Sequence, residues 1–312
     1  MRIYGRHLKR INFFKFLSLS RKSFKSSNYI LTMSEDWKGR TQVKKISVNF
    51  FRNVRTNIFW KFKTKYIKAG QTQFGANFGI VGDVHFNDEK EEIRKQYVAI
   101  DTKRWDLDGK DNNFESRLLF RAFQGLVENE KTGKKTGGSY QGGLELSVLN
   151  SLNLSLGARR ALSSFYMVLP GFRYLTQVYQ KRTYVVANYV LPLYPVGDEP
   201  VRFFKIKRRM RFGHNYKVTE VGRKEPVANI YHKRWNIGGR YDIYIDDEDL
   251  QYHKNFAQLL ILFVGIIRYR KEVEALIKKL IKEKSKVDDD IGYRFEANKE
   301  ELALFRNPRI RR

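Results

Sequence analysis

The chain of 312 residues contains no cysteine. This absence excludes disulfide bonds, cysteine-based zinc sites and thiol catalysis, and it indicates nothing about the cellular compartment. Histidine is scarce, with five residues, and none has a carboxylate or a second histidine at metal-ligand spacing. No G-x-S-x-G, H-E-x-x-H or G-x-G-x-x-G motif is present. The sequence therefore predicts a protein that is not an enzyme and has neither a cofactor nor a metal site.

Acidic residues are few relative to basic ones. The chain has 61 Lys and Arg against 33 Asp and Glu, which leaves a formal net charge of +28 at pH 7. A charge of this size repels itself unless a negative surface lies nearby, and an enzyme of small metabolites has no physical need for it. The partners it indicates are nucleic acid, an anionic membrane surface, or an acidic protein inside a larger assembly.

The first 34 residues contain no acid at all. Their eight Lys and Arg residues are interleaved with serines and phenylalanines, which is typical of a mitochondrial targeting segment. Two alternatives stay open: a disordered basic arm that lies on a polyanion, and a mis-assigned start upstream of Met33. We therefore predict a mitochondrial location, either in the matrix or associated with a membrane.

Long hydrophobic runs are absent too. The longest, over 256–267, has about twelve apolar residues, whereas a bilayer span needs roughly 20. A helix that is apolar all round must be buried. Two segments with strand-like alternation, 227–235 and 240–245, precede it, so we predict that the helix lies inside a curved antiparallel sheet. The acidic residues 246–249 are interpreted as a helix cap at its positive N-terminal end, in preference to a Ca²⁺ site.

The order of these elements resembles that of a known family. "VANIYHKRW", a glycine turn, "RYDIYI", an acidic cluster and one hydrophobic helix are similar to the C-terminal end of the LURP-one-related family, which belongs with the tubby-like and phospholipid-scramblase-like proteins. The segment "FFKIKRRMRFGHNYKVTEVGRKEPVANI" resembles the family's preceding hairpin, and the resemblance is clearest over 172–267. It implies a closed antiparallel barrel of about a dozen strands around a central C-terminal helix.

The predicted fold class is thus mainly β, with basic terminal extensions. We divide the chain into a targeting segment or arm (1–34), a β-rich domain (35–267) and a basic helical tail (268–312). The amphipathic start of the tail is interpreted as a helix docked on the barrel or as a partner contact. Within the domain, the pattern predicts short helices over 115–127 and 159–169, a loop over 128–143, and two strands over 144–156.

Two strands carry lysine and arginine on the face opposite their apolar residues. A charged outer face is ordinarily only a solvated face, but the net charge favours polyanion binding. No zinc finger, helix-turn-helix or RNP motif is present, so sequence-specific binding of nucleic acid is not expected. The predicted polyanion-binding residues are Lys61, Lys63, Lys65, Lys205, Lys207, Arg209 and Arg211.

Three functions follow as hypotheses. The first is a non-catalytic accessory or structural subunit of a large mitochondrial assembly, either a respiratory-chain complex or the mitochondrial ribosome. Its basic faces would contact acidic lipid, protein or RNA. The second, which the family resemblance implies, is a peripheral membrane protein that binds anionic phospholipids. A lipid-modifying or hydrolytic enzyme is the third and the least supported.

Overall fold

The computed structural model of the protein describes part of the chain, and the statements below concern that part. The described residues are 33–34, 43–55, 78–86, 96–106, 110–113, 115–124, 126–128, 135–137, 140–158, 160–170, 175–181, 183, 186–195, 200–209, 215–233 and 239–284.

Most of the described residues belong to strands. The strands are β1 (Met33–Ser34), β2 (Val43–Arg55), β3 (Phe78–Phe86), β4 (Gln96–Asp101), β5 (Leu119–Gln124), β6 (Leu126–Glu128), β7 (Lys135–Gly137), β8 (Tyr140–Leu146), β9 (Ser164–Val168), β10 (Thr176–Gln180), β11 (Asn188–Leu193), β12 (Arg202–Arg208), β13 (Tyr216–Glu220), β14 (Pro226–Lys233) and β15 (Arg240–Ile245). The helices are α1 (Val148–Ala158), α2 (Glu248–Gln251) and α3 (Lys254–Lys284).

Twelve of these strands form a closed antiparallel barrel, as predicted. Their order is β2-β15-β14-β13-β12-β11-β10-β9-β8-β5-β4-β3, and pairing of β2 with β3 closes the circle. Closure leaves no strand edge of the barrel unpaired. The short strand β1 pairs with the start of β2, and β6 and β7 form a separate hairpin. The predicted mainly β fold class is confirmed.

The helix α3 fills the barrel. Six consecutive residues, 259–264, have no solvent exposure, so side chains on every face of the helix are covered. Phe263 packs edge-on against Tyr189 of β11 and Tyr216 of β13, with ring centroids 5.2 and 6.1 Å away. Further along the helix, Tyr269 contacts Phe50 of β2 and Phe120 of β5. The apolar run over 256–267 is therefore buried inside the strands, as its composition predicts.

Beyond residue 267 the same helix continues without a break. One side of it is buried, through Val273, Leu276, Ile277 and Leu280, and it packs against α1. Lys279 on this part donates a hydrogen bond to the carbonyl of Asn112, at 2.9 Å. The end of α3 is thus held by contacts with α1 and with the segment of Asn112.

The predicted helix over 115–127 is wrong, because residues 119–124 form β5. Leu118, Phe120 and Ala122 point into the barrel, whereas Leu119 and Phe123 lie on its outside in a second buried cluster. With apolar residues on both faces, the alternation of a strand disappears from the sequence and a helical spacing emerges by coincidence. The predicted loop over 128–143 is also wrong in part, since β7 and the start of β8 lie there.

The structure reverses two further predictions. The second strand predicted over 144–156 is the helix α1, and the helix predicted over 159–169 contains β9. Buried serines explain the first error. Ser151 and Ser155 occupy the inner side of α1 and accept backbone N–H bonds from Ser164 and Leu162, both at 2.8 Å. These polar side chains replace the apolar residues that would have revealed the helical period.

One part of the barrel's outside is buried. Ile80 of β3, Ala99 of β4, and Leu119 and Phe123 of β5 form this covered face. A bulge between Ile80 and Gly82 reverses the alternation of β3, so Ile80 lies outside the barrel while Val84 lies inside it.

Candidate polyanion-binding face

The outside of β12 carries the basic residues that the sequence predicts. Phe204 and Ile206 are fully buried, while Lys207 is exposed and Lys205 is half-buried on the opposite side of the strand. Arg209 follows directly after β12 and is exposed. The other predicted polyanion-binding residues, Lys61, Lys63, Lys65 and Arg211, lie outside the described residues.

The barrel adds a lysine that sequence reasoning did not assign to the site. Lys217 of β13 lies directly opposite Lys207, and Lys205 lies opposite Thr219. No carboxylate in the described part of the chain forms an ion pair with Lys205, Lys207 or Lys217. Like charges directly opposite each other destabilise a strand pair, so an anion bound between Lys207 and Lys217 would relieve a repulsion that the fold itself imposes.

Two tyrosines extend this surface toward β2. The guanidinium of Arg209 lies 5.8 Å from the centre of the Tyr231 ring, and the ammonium of Lys45 lies 5.6 Å from that of Tyr244. The two rings pack edge-on at 5.6 Å. We call this surface the basic face, and its residues are Lys45, Lys205, Lys207, Arg209, Lys217, Tyr231 and Tyr244. Each of the five adjacent strands β12 to β15 and β2 contributes to the basic face. The four spacings between them, at ~4.8 Å each, make the face about 19 Å wide.

The nearest buried acid is already neutralised. Asp242 of β15 has no exposed surface and accepts hydrogen bonds from Ser47 Oγ at 2.7 Å and Arg240 Nε at 2.8 Å. Lys233 Nζ lies 3.0 Å from its other oxygen. Burial alone would raise the pKa of Asp242, but these donors outweigh it and hold the pKa below its usual value. Lys233 and Arg240 are therefore engaged with Asp242 and are not counted in the basic face. Arg209, which is counted, donates a hydrogen bond to Asn229 Oδ1 at 2.6 Å.

At one end of the barrel, the acidic cluster caps a helix, but not the helix that was predicted. The Asp247 carboxylate accepts the N–H of Leu250 at 3.0 Å and so caps α2. Its other oxygen lies 2.6 Å from Arg223. The long helix α3 has no acid in its first turn, and Nδ1 of His253 accepts the N–H of Phe256 at 3.2 Å instead. Across the described residues, no group of three or more His, Cys, Asp or Glu is placed to hold a metal ion.

The cap at His253 predicts a pH-dependent stability. Burial, with the nearby cation of Arg202, lowers the pKa of His253 from 6.5 to about 4. Between these values the unfolded chain binds more protons than the folded protein, so stability falls as the pH falls from about 6.5 to 4. The loss is at most about 1.4 kcal/mol per pH unit. Urea denaturation across this range measures it.

The control for this prediction is His253→Asn, which keeps a side-chain acceptor at the cap but does not titrate. We expect the variant to lose less stability than the wild-type protein between pH 6.5 and 4. If the free energy of unfolding changes equally with pH in the two proteins, groups other than His253 cause the pH dependence.

Among the described helices, none is both long enough and apolar enough to cross a membrane. The resemblance to the LURP-one-related family stays a prediction. Comparison of the chain with protein-family models, with curated proteins and with solved structures finds no significant match.

Proposed function

We propose that this protein is a non-catalytic accessory subunit of a large mitochondrial assembly, and that the basic face docks it on a polyanionic surface of that assembly. The observation that carries the proposal is the opposition of Lys207 and Lys217 across two strands. Repulsion between them costs stability in the free protein. A surface selected only for folding or solubility gains nothing from that arrangement, whereas a surface that binds an anion does.

The chemistry of the basic face supports binding. It offers ammonium and guanidinium groups for charge-assisted hydrogen bonds to phosphate or carboxylate. The rings of Tyr231 and Tyr244 hold Arg209 and Lys45 in place through cation–π contacts. Such a face can contact acidic lipid, protein or RNA. The acid-free segment 1–34 supports the mitochondrial location, and a respiratory-chain complex and the mitochondrial ribosome are the two candidate assemblies.

Charge reversal at the basic face tests the proposal. In Lys205→Glu/Lys207→Glu/Lys217→Glu, we expect the fraction of protein that co-sediments with the assembly from lysed mitochondria to fall more than about tenfold, since several ion pairs are lost together. If RNA is the surface, wild-type binding should also weaken by about 0.7 to 0.9 log units per neutralised phosphate for each tenfold increase in salt.

A matched control reverses three exposed lysines elsewhere, as Lys103→Glu/Lys271→Glu/Lys278→Glu. It changes the net charge by the same amount and should leave co-sedimentation unchanged. A wild-type protein that migrates alone at its monomer mass, outside mitochondria, would refute the proposal. Equal losses in the two triple variants would show that net charge alone governs the association.

A second candidate function is peripheral binding to anionic phospholipids. One observation favours it: Phe203 is 46 % exposed and lies two residues before Lys205 on the outside of β12. Clustered lysines near an anionic membrane contribute about 1 kcal/mol each. Flotation with phosphatidylserine vesicles but not with neutral phosphatidylcholine vesicles, abolished in the first triple variant, would support this function over the first.

A further inference from the structure

The basic face adjoins a small exposed apolar patch. Val201, Phe203 and Val221 are 38, 46 and 48 % exposed, which places them among the few large apolar side chains left open to solvent in the described residues. The N–H of Val221 donates to the carbonyl of Phe203 at 2.8 Å, so the two residues are direct neighbours across β12 and β13. We call these three residues the apolar patch.

The apolar patch and the lysines share one side of the sheet. Phe203, Lys205 and Lys207 alternate with the buried Phe204 and Ile206, so all three point outward. At ~3.3 Å per residue, Phe203 and Lys207 are about 13 Å apart along the strand. The outside of β12 and β13 therefore presents apolar side chains at one end and lysines at the other, within the width of a single bound segment. Among the described residues, these lysines have no ion-pair partner.

The surroundings of the apolar patch determine which partner fits. Exposed carboxylates outnumber the exposed lysines of the described residues at the same end of the barrel. Glu225 is in the turn after Val221, and Glu248 and Asp249 are in α2. The lysines are Lys224, in the same turn, and Lys254, at the start of α3. The ion pair of Arg223 with Asp247 joins this turn to the start of α2. A broad anionic surface, whether a bilayer or an RNA duplex, would meet these carboxylates as it approached the apolar patch and would be repelled. A narrow segment would not meet them.

We propose that the outside of β12 and β13 is the docking surface for an acidic protein segment of the assembly. This inference rests on the proposed function and specifies the chemistry of the partner. The segment places an apolar anchor side chain against Phe203 and Val221, and carboxylates against Lys205, Lys207 and Lys217. Specific protein interfaces combine a buried apolar anchor with polar and charged contacts beside it, and here the two lie next to each other along the strands.

A photocrosslinking residue tests the identity of the partner. The probe p-benzoylphenylalanine replaces Phe203 in the full chain, and in a control chain it replaces Ala275, which is exposed on α3. Both chains are expressed in their native cells and irradiated within intact mitochondria. We expect the probe at 203, but not the one at 275, to crosslink to one protein, through a peptide that carries an apolar residue and at least two carboxylates. Crosslinks to lipid, to RNA or to a peptide without acidic residues, or none at all, would overturn the inference.

Substitutions at the same residue give a second, independent result. Phe203→Glu should lower the fraction bound to the assembly by more than about tenfold, as expected for loss of an interface anchor, whereas Phe203→Leu should retain most binding. Unchanged melting temperatures would show that both variants fold. If the triple lysine variant loses the assembly while Phe203→Glu keeps it, the proposed function stands and this inference fails. If the wild-type protein is in no assembly, both fail.

Discussion

Phe263→Ala is expected to lower the free energy of unfolding by about 3 to 5 kcal/mol, the usual range for removing a buried phenylalanine. Phe263 lies on α3 at the centre of the barrel, has no exposed surface, and packs edge-on against Tyr189 and Tyr216. The strands of a closed barrel cannot move inward independently, so the space left by the ring stays largely unfilled. Urea denaturation of the two proteins measures the difference.

The matched control removes the same side chain from the outside of the barrel. Phe203→Ala should cost less than about 1 kcal/mol, because Phe203 is 46 % exposed and surface substitutions have small effects. Similar losses for the two variants would contradict a helix enclosed by strands.

The second large effect is expected at a buried ion pair on the outside of β5 and β8. Arg121 and Glu145 are both buried and form a hydrogen-bonded salt bridge. Arg121 also donates to the carbonyls of Phe120 and Leu144, at 3.2 and 3.1 Å. Glu145→Ala should destabilise the protein by about 3 to 5 kcal/mol, because it leaves the guanidinium buried without its counter-charge. Thermal or urea unfolding is the measurement.

Two controls separate the effect of the buried charge on stability from the effect of side-chain packing. Glu272→Ala removes a carboxylate 3.6 Å from Arg268 in a more exposed helical pair, and this should cost less than about 1 kcal/mol. The double variant Arg121→Met/Glu145→Leu removes both buried charges and should be more stable than Glu145→Ala alone. If the double variant is less stable than Glu145→Ala, the remaining contacts of Arg121 stabilise the protein by more than the cost of burying its charge.

These residues also show how the outside of the barrel differs from one side to the other. Around β5 and β8, outward-facing side chains are buried, and the charged pair there is internal to the fold. Around β12 and β13, the outward-facing Lys207, Phe203 and Val221 are exposed, and Lys205 and Lys217 are half-buried. The same alternation of strand residues thus produces a structural surface on one side and a surface suited to binding on the other.

The strands β14 and β15 and the helix α3 could be predicted from the sequence because their signals are local. From Ala228 to Tyr231 and through β15, successive residues alternate between the inside and the outside of the barrel, and the apolar run over 256–267 is typical of a buried helix. The predictions failed at β5, α1 and β9 for one physical reason. These elements are buried on more than one side, or are buried through serines, so hydrophobicity no longer varies with the period of the backbone.

The candidate site, too, could be predicted only in part from the sequence. The alternation of Lys205 and Lys207 with apolar residues is visible in the sequence, and so is that of Lys217 with Tyr216 and Val218. That Lys217 lies opposite Lys207 depends on the register of two strands, which the sequence does not specify at that point. The positions of Lys45 and Tyr244 depend on contacts between strands about 200 positions apart in the chain.

What the sequence by itself determined is the excess of positive charge, the absence of cysteine chemistry, and the presence of one helix too apolar to remain in water. Each of these depends only on residue types and their local order. The tertiary structure alone decided which side of the barrel is covered and which lysines lie side by side. It also decided that Val221 lies beside Phe203 and so forms an apolar patch with it. Such neighbours are created by strand pairing and barrel closure, which join residues distant in the chain, and their proximity leaves no local signal.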